Sequence, residues 1–550
     1  MNRRVAVLAL VVAASCAAPP PASRDVLNVS VEQTSAWVRN FNPLLVGTAR
    51  WPTRGGIYEP LLIWNAVAGA WVPWLATEYA WSADHGKLTL TTRAGVQWSD
   101  GQPFSAADVA FTFNLIHKNR ALDSMGVWEF LADVRATGPR TVELTLQRPY
   151  VPGLVEIASQ SILPEHIWSK VADPITFTNP NPVGTGPFTE VRVFRNQVWE
   201  LGKNPHYWQA GKPKLAALRM VAYPSNDQAN LALIEDEVDW AGNYVPAIDR
   251  TFVARDKEHH GYWFPAVGSM VFLYPNAQRP PLDDARVRRA LSLAIDRKRV
   301  VAIGMFGYAR PADATGLSDA YAPWRDPELA NDGWVKYDPV AAGKLLDEAG
   351  FRRGPDGVRR KPDGSRLAFT VEAVAGWSDW VRSAQVIARD LTAIGVPVEL
   401  RTYEWGAWFR RLQAGDFELS VACPGLAFSF DAPTPYFSYR WIMSSAHVQA
   451  PGELATTNWN RFGDAQADVL LGELEKSDDP ARQHELMRAL EQRFIATAPA
   501  IPLFANPLWG AYNSRRFTGF PSQAQPFAKL SPHSEPEDLL VLLALEPRAR

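Results

Sequence analysis

The chain has 550 residues, too many for one ordinary core, so two or three domains are expected. Hydrophobic residues at 47% and charged residues at 21% are typical of a soluble globular protein. A formal net charge of −2 gives no electrostatic footprint for nucleic acid or an anionic membrane surface, and no nucleic-acid partner is expected.

In chain order, Arg3 and Arg4 precede the apolar run from Val5 to Ala14, the n- and h-regions of an export signal too short to span a bilayer. The run ends in Ala13-Ala14-Ser15-Cys16, small residues before a cysteine, which resembles a bacterial lipobox. Residues 1–16 are therefore expected to be a lipoprotein signal peptide, with Cys16 carrying the lipid; ordinary cleavage is the alternative. Residues 17–25, rich in proline, read as a tether. On this reading the protein is exported, facing a periplasm or a cell exterior.

Strand-like runs then mix with periodic helices, an α/β pattern, and no period of about 20–50 residues repeats. Leu88 to Thr91 reads as a strand. Ser105 with Asp108 forms a capping box ahead of a helix with the stripe Val109, Phe113 and Ile116. Thr141 to Leu146 alternates cleanly, with Val142, Leu144 and Leu146 on one face. Asp283 or Asp284 opens a helix striped by Val287, Ala290, Leu291, Ala294 and Ile295. Another helix runs from about Asp338 to Ala349 and stops at Gly350. Pro397 to Leu400 and Phe417 to Ala422 read as strands, and Pro480 sits where a first-turn proline belongs. Beyond Cys16, Cys423 is the other cysteine, in an apolar run that predicts a buried, inert thiol.

Several segments together resemble the peptide/nickel/oligosaccharide family (family 5) of ABC-transporter solute-binding proteins. They are Tyr58-Glu59-Pro60-Leu61-Leu62, Trp98-Ser99-Asp100-Gly101 with the residues through Val109, Val183-Gly184-Thr185-Gly186-Pro187-Phe188, and Lys203-Asn204-Pro205-His206-Tyr207-Trp208. Val287-Arg288-Arg289-Ala290-Leu291, Ala294-Ile295-Asp296-Arg297 and Leu345 to Phe351 continue the series, in the family's order over nearly the whole mature chain. A second set looks like the branch that binds chito- and cello-oligosaccharides: Arg39 to Pro43, Pro164 to Val171, Val238-Asp239-Trp240, His259 to Pro265 and Gly376-Trp377-Ser378-Asp379-Trp380.

The resemblance implies a two-lobed periplasmic-binding-protein fold (α/β, type II, the large class with an extra subdomain) and a ligand cleft between lobes that close by a hinge. The implied division is 26–57, 182–275 and 491–550 in lobe 1, 58–181 as an inserted subdomain, and 276–490 in lobe 2. The implied role is the binding component of an ABC importer. It would act as a monomer, with a small-molecule ligand and membrane permease subunits as partners and no cofactor.

A sugar offers an apolar ring face and a rim of hydroxyls, so its site needs aromatic platforms with donors and acceptors beside them. In the resembling branch the Gly-Trp-x-Asp element supplies a stacking indole, here Trp377, and a carboxylate, here Asp379. Trp37 and Asn42 are further candidates, although Asn42-Pro43 equally reads as a turn. Asn243 sits where a lobe-1 strand reaches the cleft. Peptide-binding relatives carry an aspartate near Phe428 to Phe437 that pairs with a free α-amino group. Ser429 falls at that point, with Asp431 close by, which favours a short β-linked oligosaccharide over an oligopeptide. Phe428 stands where the sugar branch has an amide, and Phe520 where it favours tryptophan. Adjacent His259 and His260 on an extended segment point apart and cannot share one metal, so no metal site is expected. HExxH, G-x-S-x-G, P-loop and G-x-G-x-x-G patterns are missing and no enzyme is expected. The rival from another class is a secreted glycoside hydrolase, which needs only two carboxylates flanking a cleft.

Overall fold

The computed structural model describes residues 25–31, 33–45, 49–331, 333–424 and 431–549. Its local signals are those of the sequence. Ser105 closes a capping box on the Ala106–Lys118 helix, whose Val109, Phe113 and Ile116 are fully buried. This helix packs on an antiparallel four-stranded sheet in the order Ala76–Trp81, Lys87–Thr92, Thr141–Leu146, Leu131–Ala136. Asp284 caps the Ala285–Ala294 helix through Arg286 N–H, and Asp479 caps the Pro480–Thr497 helix with proline in its first turn. The strand expected at Pro397 to Leu400 runs Val398–Tyr403. The one expected from Phe417 begins at Leu419, because the Phe417 carbonyl is taken by the side chain of Asn276.

Two larger sheets make the lobes. The first has seven strands in the order His260–Tyr262, Ala511–Asn513, Trp240–Ala241, Val26–Ser30, Ala217–Val221, Val198–Lys203, Phe188–Arg195. Val26–Ser30 lies parallel to both neighbours. The second has five strands in the order Val398–Tyr403, Phe369–Val374, Leu419–Ala422, Met270–Pro275, Ile501–Ala505. Both sheets carry a strand from late in the chain, so the backbone crosses between them repeatedly.

Two of those crossings, residues 263–269 and 506–510, run side by side. Trp263 N–H donates to the Gly510 carbonyl at 3.0 Å, and Asn506 N–H to the Ser269 carbonyl at 3.3 Å. Paired connecting segments of this kind are a natural hinge, since a few backbone angles reorient whole lobes. The lobes also touch away from these segments: Tyr244 Oη donates to the Gly304 carbonyl (3.2 Å), and Asn226 N–H to the Gly376 carbonyl (3.3 Å).

Candidate ligand cleft between the lobes

A cavity of about 530 Å³ opens between the two large sheets and the four-stranded unit. Its wall draws on segments far apart in the chain: Gln33 and Thr34 after the first strand, Met125 and Glu129 beside the four-stranded sheet, Trp377 and Trp405 after strands of the five-stranded sheet. Side chains that far apart in sequence share a surface only when the lobes come together.

Among the described residues, five indoles line the cavity: Trp51, Trp64, Trp377, Trp405 and Trp441. Trp377 stands at the N-cap of the Ser378–Ala393 helix, where the strand Phe369–Val374 turns outward. Its ring stacks on Trp405 (5.4 Å between centroids, 26° between planes), and Trp405 stacks on Phe409 (5.2 Å, 10°). The edge of Trp380 meets Trp377 at 4.9 Å and 87°. A ring fixed on several sides loses little freedom when a ligand covers its remaining face, which makes it a preorganised platform. From the facing lobe, Asn226 holds the Gly376–Ser378 turn through the Gly376 carbonyl.

Much of the charged lining is paired within the chain. Lys529 Nζ sits 2.6 Å from Asp431 Oδ2 and 3.1 Å from Glu537 Oε2, with all three side chains at 5% exposure or less. Burial pulls the Lys529 ammonium down, but the two carboxylates outweigh it and raise its pKa. Elsewhere Arg440 Nη2 lies 2.8 Å from Glu129, and Nη1 lies 3.6 Å from the buried Glu156. Burial pushes the Glu156 carboxyl up to about 8 against the pull of Arg440. His447, nearby, is lowered to about 4 by burial and by the Arg440 charge.

Of the residues singled out from sequence, Trp377 and Asp431 line the cavity. Asp379 lies behind it, buried, accepting from Trp509 Nε1 at 3.3 Å, its carboxyl raised to about 6 chiefly by burial. Trp37 is packed edge-on against Trp199 in the lobe core, 6.1 Å between centroids. Asn42 clamps a neighbouring loop, its amide donating to the carbonyls of Pro174 (3.0 Å) and Phe177 (2.7 Å). Asn243 is spent on Asn230 and on the hydroxyl of Ser30. Phe520 stacks on Tyr512 (4.8 Å, 12°). Phe428, Ser429 and Cys16 lie outside the described residues. Among the described residues no group of three or more His, Cys, Asp or Glu is placed to hold a metal ion. His260 instead stacks on Phe252 (4.0 Å, 7°) with Nε2 on Asp236.

Sequence reasoning passed over Trp51, Trp64, Trp405, Trp441 and Lys529. One signal was present: Trp405, Trp408, Phe409 and Leu412 follow helical spacing, with Trp408 and Leu412 buried and Trp405 on the first turn. An indole at a helix start beside a buried stripe faces the space beyond the strand end. For the others no local pattern exists.

Comparison with known proteins gives a consistent answer. The family model described as bacterial extracellular solute-binding proteins, family 5 Middle, matches residues 70–449. Glutathione-binding protein GsiB of Shigella flexneri serotype 5b is 26% identical over 460 residues, covering 81% of this chain and 82% of that protein. Protein XP55 of Streptomyces lividans is 29% identical over 439 residues, 77% of this chain and 74% of that one. Among solved structures, a mannohexaose-bound periplasmic oligopeptide-binding protein of an oligopeptide ABC transporter from Thermotoga maritima matches with a TM-score of 0.87. Its identity is 25%, over 96% of this chain and 99% of that one. With the family model spanning well over half the chain, and with two lobes closing on a cavity, this protein belongs to the bacterial extracellular solute-binding proteins of family 5.

Proposed function

We propose that the protein is the extracytoplasmic binding component of an ABC importer and that its cleft takes short β-linked oligosaccharides of the cello- or chito- type. The carrying observation is the set of five indoles around a cavity of about 530 Å³, room for roughly two to five sugar units. Trp377 supplies the main stacking face. Threonine hydroxyls (Thr34, Thr53, Thr456, Thr457), the half-buried Arg54 and the exposed Glu404 supply partners for ring hydroxyls. That a Thermotoga maritima relative holds mannohexaose supports the sugar reading.

Four of the six carboxylates lining the cleft are held by cations of this chain, which weighs against hydrolysis. Glycoside hydrolysis needs a proton donor and a separate free carboxylate. Here Asp431 and Glu537 share Lys529, and Glu129 and Glu156 share Arg440. In this reading the protein is exported, held at the membrane by a lipid on Cys16, and presents its closed lobes to permease subunits.

A peptide ligand is the second reading, favoured by the similarity to a glutathione-binding protein. Intrinsic tryptophan fluorescence, titrated with cello-, chito-, xylo- and manno-oligosaccharides alongside tri- and pentapeptides, separates them. A saturable shift with one sugar series is expected, because the cleft indoles lose water on binding. A response to peptides alone would sink the sugar reading and leave the importer role intact. Release of shorter sugars by the pure protein would sink the importer role.

A further inference from the structure

In the corner formed by Asp431, Lys529 and Glu537 the charges are used up within the chain. Asp431 Oδ2 takes the Lys529 ammonium, and Oδ1 accepts the Gly268 N–H at 2.5 Å. Glu537 Oε2 takes the same ammonium and the Ala66 N–H (3.4 Å), while Oε1 accepts the Lys529 N–H at 2.9 Å. All four carboxylate oxygens therefore have donors from this chain. The three residues nevertheless line the cavity, so a ligand reaches them.

The corner also joins parts that meet only on folding. Asp431 follows the strand Leu419–Ala422 of the five-stranded sheet. Lys529 lies beside Leu530, whose carbonyl accepts Trp240 Nε1 from the seven-stranded sheet at 2.5 Å. Gly268 belongs to the crossing between the sheets. The ion pair is thus fixed next to the hinge, and its ammonium is delivered by the backbone rather than from solution.

A ligand that brings its own cation into such a cavity must strip its water and find an acceptor, or it stays buried and unpaired at high cost. At this corner it would compete with an ammonium tethered at contact distance, whose effective concentration no free ligand matches. Glu404 and Glu535 also line the cavity, but Arg50 and Arg54 line it as well and balance them in charge.

We propose that Lys529 is a specificity-determining residue: its ammonium fills from within the position that a cationic ligand group would take against Asp431 and Glu537, so the cleft gives no advantage to a free amine. This deepens the reading of the cleft as the ligand site and rests on that reading. It does not depend on which sugar is bound.

The test uses one tripeptide in two forms, with a free and with an acetylated amino terminus, titrated calorimetrically into the wild-type protein and into Lys529→Met. Wild type is expected to bind both forms within about twofold of each other, or neither. Lys529→Met is expected to bind the free amine at least about tenfold tighter than the acetylated form. A tenfold preference for the free amine in wild type would overturn the inference. So would a folded Lys529→Met that shows no preference or binds neither form. Lys529→Gln, which keeps a hydrogen-bond donor but removes the charge, serves if the methionine variant does not fold, and the wild-type arm decides independently of either. A parallel oligosaccharide titration of wild type reports on the sugar reading separately, since its failure leaves the amine comparison unchanged.

Discussion

Two parts of the same cavity wall are built on opposite plans. The aromatic part is a ladder of half-buried rings, Trp377 on Trp405 on Phe409, that offers its remaining faces to whatever enters. The charged corner of Asp431, Lys529 and Glu537 is almost wholly buried, and each of its oxygens already has a donor. Stacking surfaces cost little to leave waiting, because a bare ring face loses only dispersion and weakly held water. A bare buried charge costs several kcal/mol, by contrast, so the protein pairs its own. At this corner the charges hold the chain together, and the stacking faces are left open for a ligand.

If that contrast is right, breaking the corner should damage the fold more than the ligand site. Lys529→Met leaves two buried carboxylates without a counter-charge. A loss of about 3–5 kcal/mol of unfolding free energy is expected near pH 7, read by urea titration. The unpaired carboxyls would then have raised folded pKa values, so part of the loss should be recovered as pH falls toward 4. A variant as stable as wild type at pH 7 would show that the ion pair contributes nothing to the fold.

Breaking the aromatic part should do the reverse. Trp377→Ala removes the ring at the end of the ladder and is expected to weaken ligand binding by about 1–3 kcal/mol, roughly 5- to 150-fold. Binding calorimetry decides it, and an unchanged dissociation constant would take Trp377 out of the site.

The same contrast explains what could be read in the sequence. Helix starts were legible because capping is local: Ser105 with Asp108, Asp284 and Pro480 each stand within a few residues of what they cap. The alternation of Val142, Leu144 and Leu146 gave their strand for the same reason. Trp377 was legible as an aromatic residue at a strand end, outside any helical stripe. Asp379 lies two residues later in the first turn of the helix, and positions two apart on a helix do not share a face. One therefore points into the cavity while the other points at Trp509. Lys529 was illegible, since its partners are about a hundred residues back and within ten ahead, and only the return of the C-terminal segment joins them.

Asn42 extends the comparison to polar groups. Its amide and carbonyl are committed to the backbone of Pro174, Phe177 and Leu44. Asn42→Ala should lower stability by about 1–3 kcal/mol through the orphaned carbonyls and leave ligand affinity where it was. A change in affinity with stability intact would return Asn42 to the site.

The smallest effect expected belongs to Asp379, and it is one of pH rather than of binding. Its carboxyl is buried, and burial raises it to about 6 although the indole of Trp509 and backbone N–H groups at the helix start pull the other way. A carboxyl raised above its unfolded value holds its proton longer in the folded protein. Its contribution to stability is therefore full below about pH 4 and is lost as pH rises through about 6, with about 1 kcal/mol of that loss falling between pH 5 and 7. Asp379→Asn keeps an oxygen for the Trp509 indole but carries no charge at any pH. The variant should bind ligand within about twofold of wild type. Its stability should also lack the wild-type decline between pH 5 and 7, as read by urea midpoints across that range. A parallel decline in both proteins would mean that Asp379 is ionised in the fold at pH 5. The helix start beside Trp377 would then hold a buried charge, and the rule that this cleft pairs or neutralises every buried charge would fail at its most exposed test.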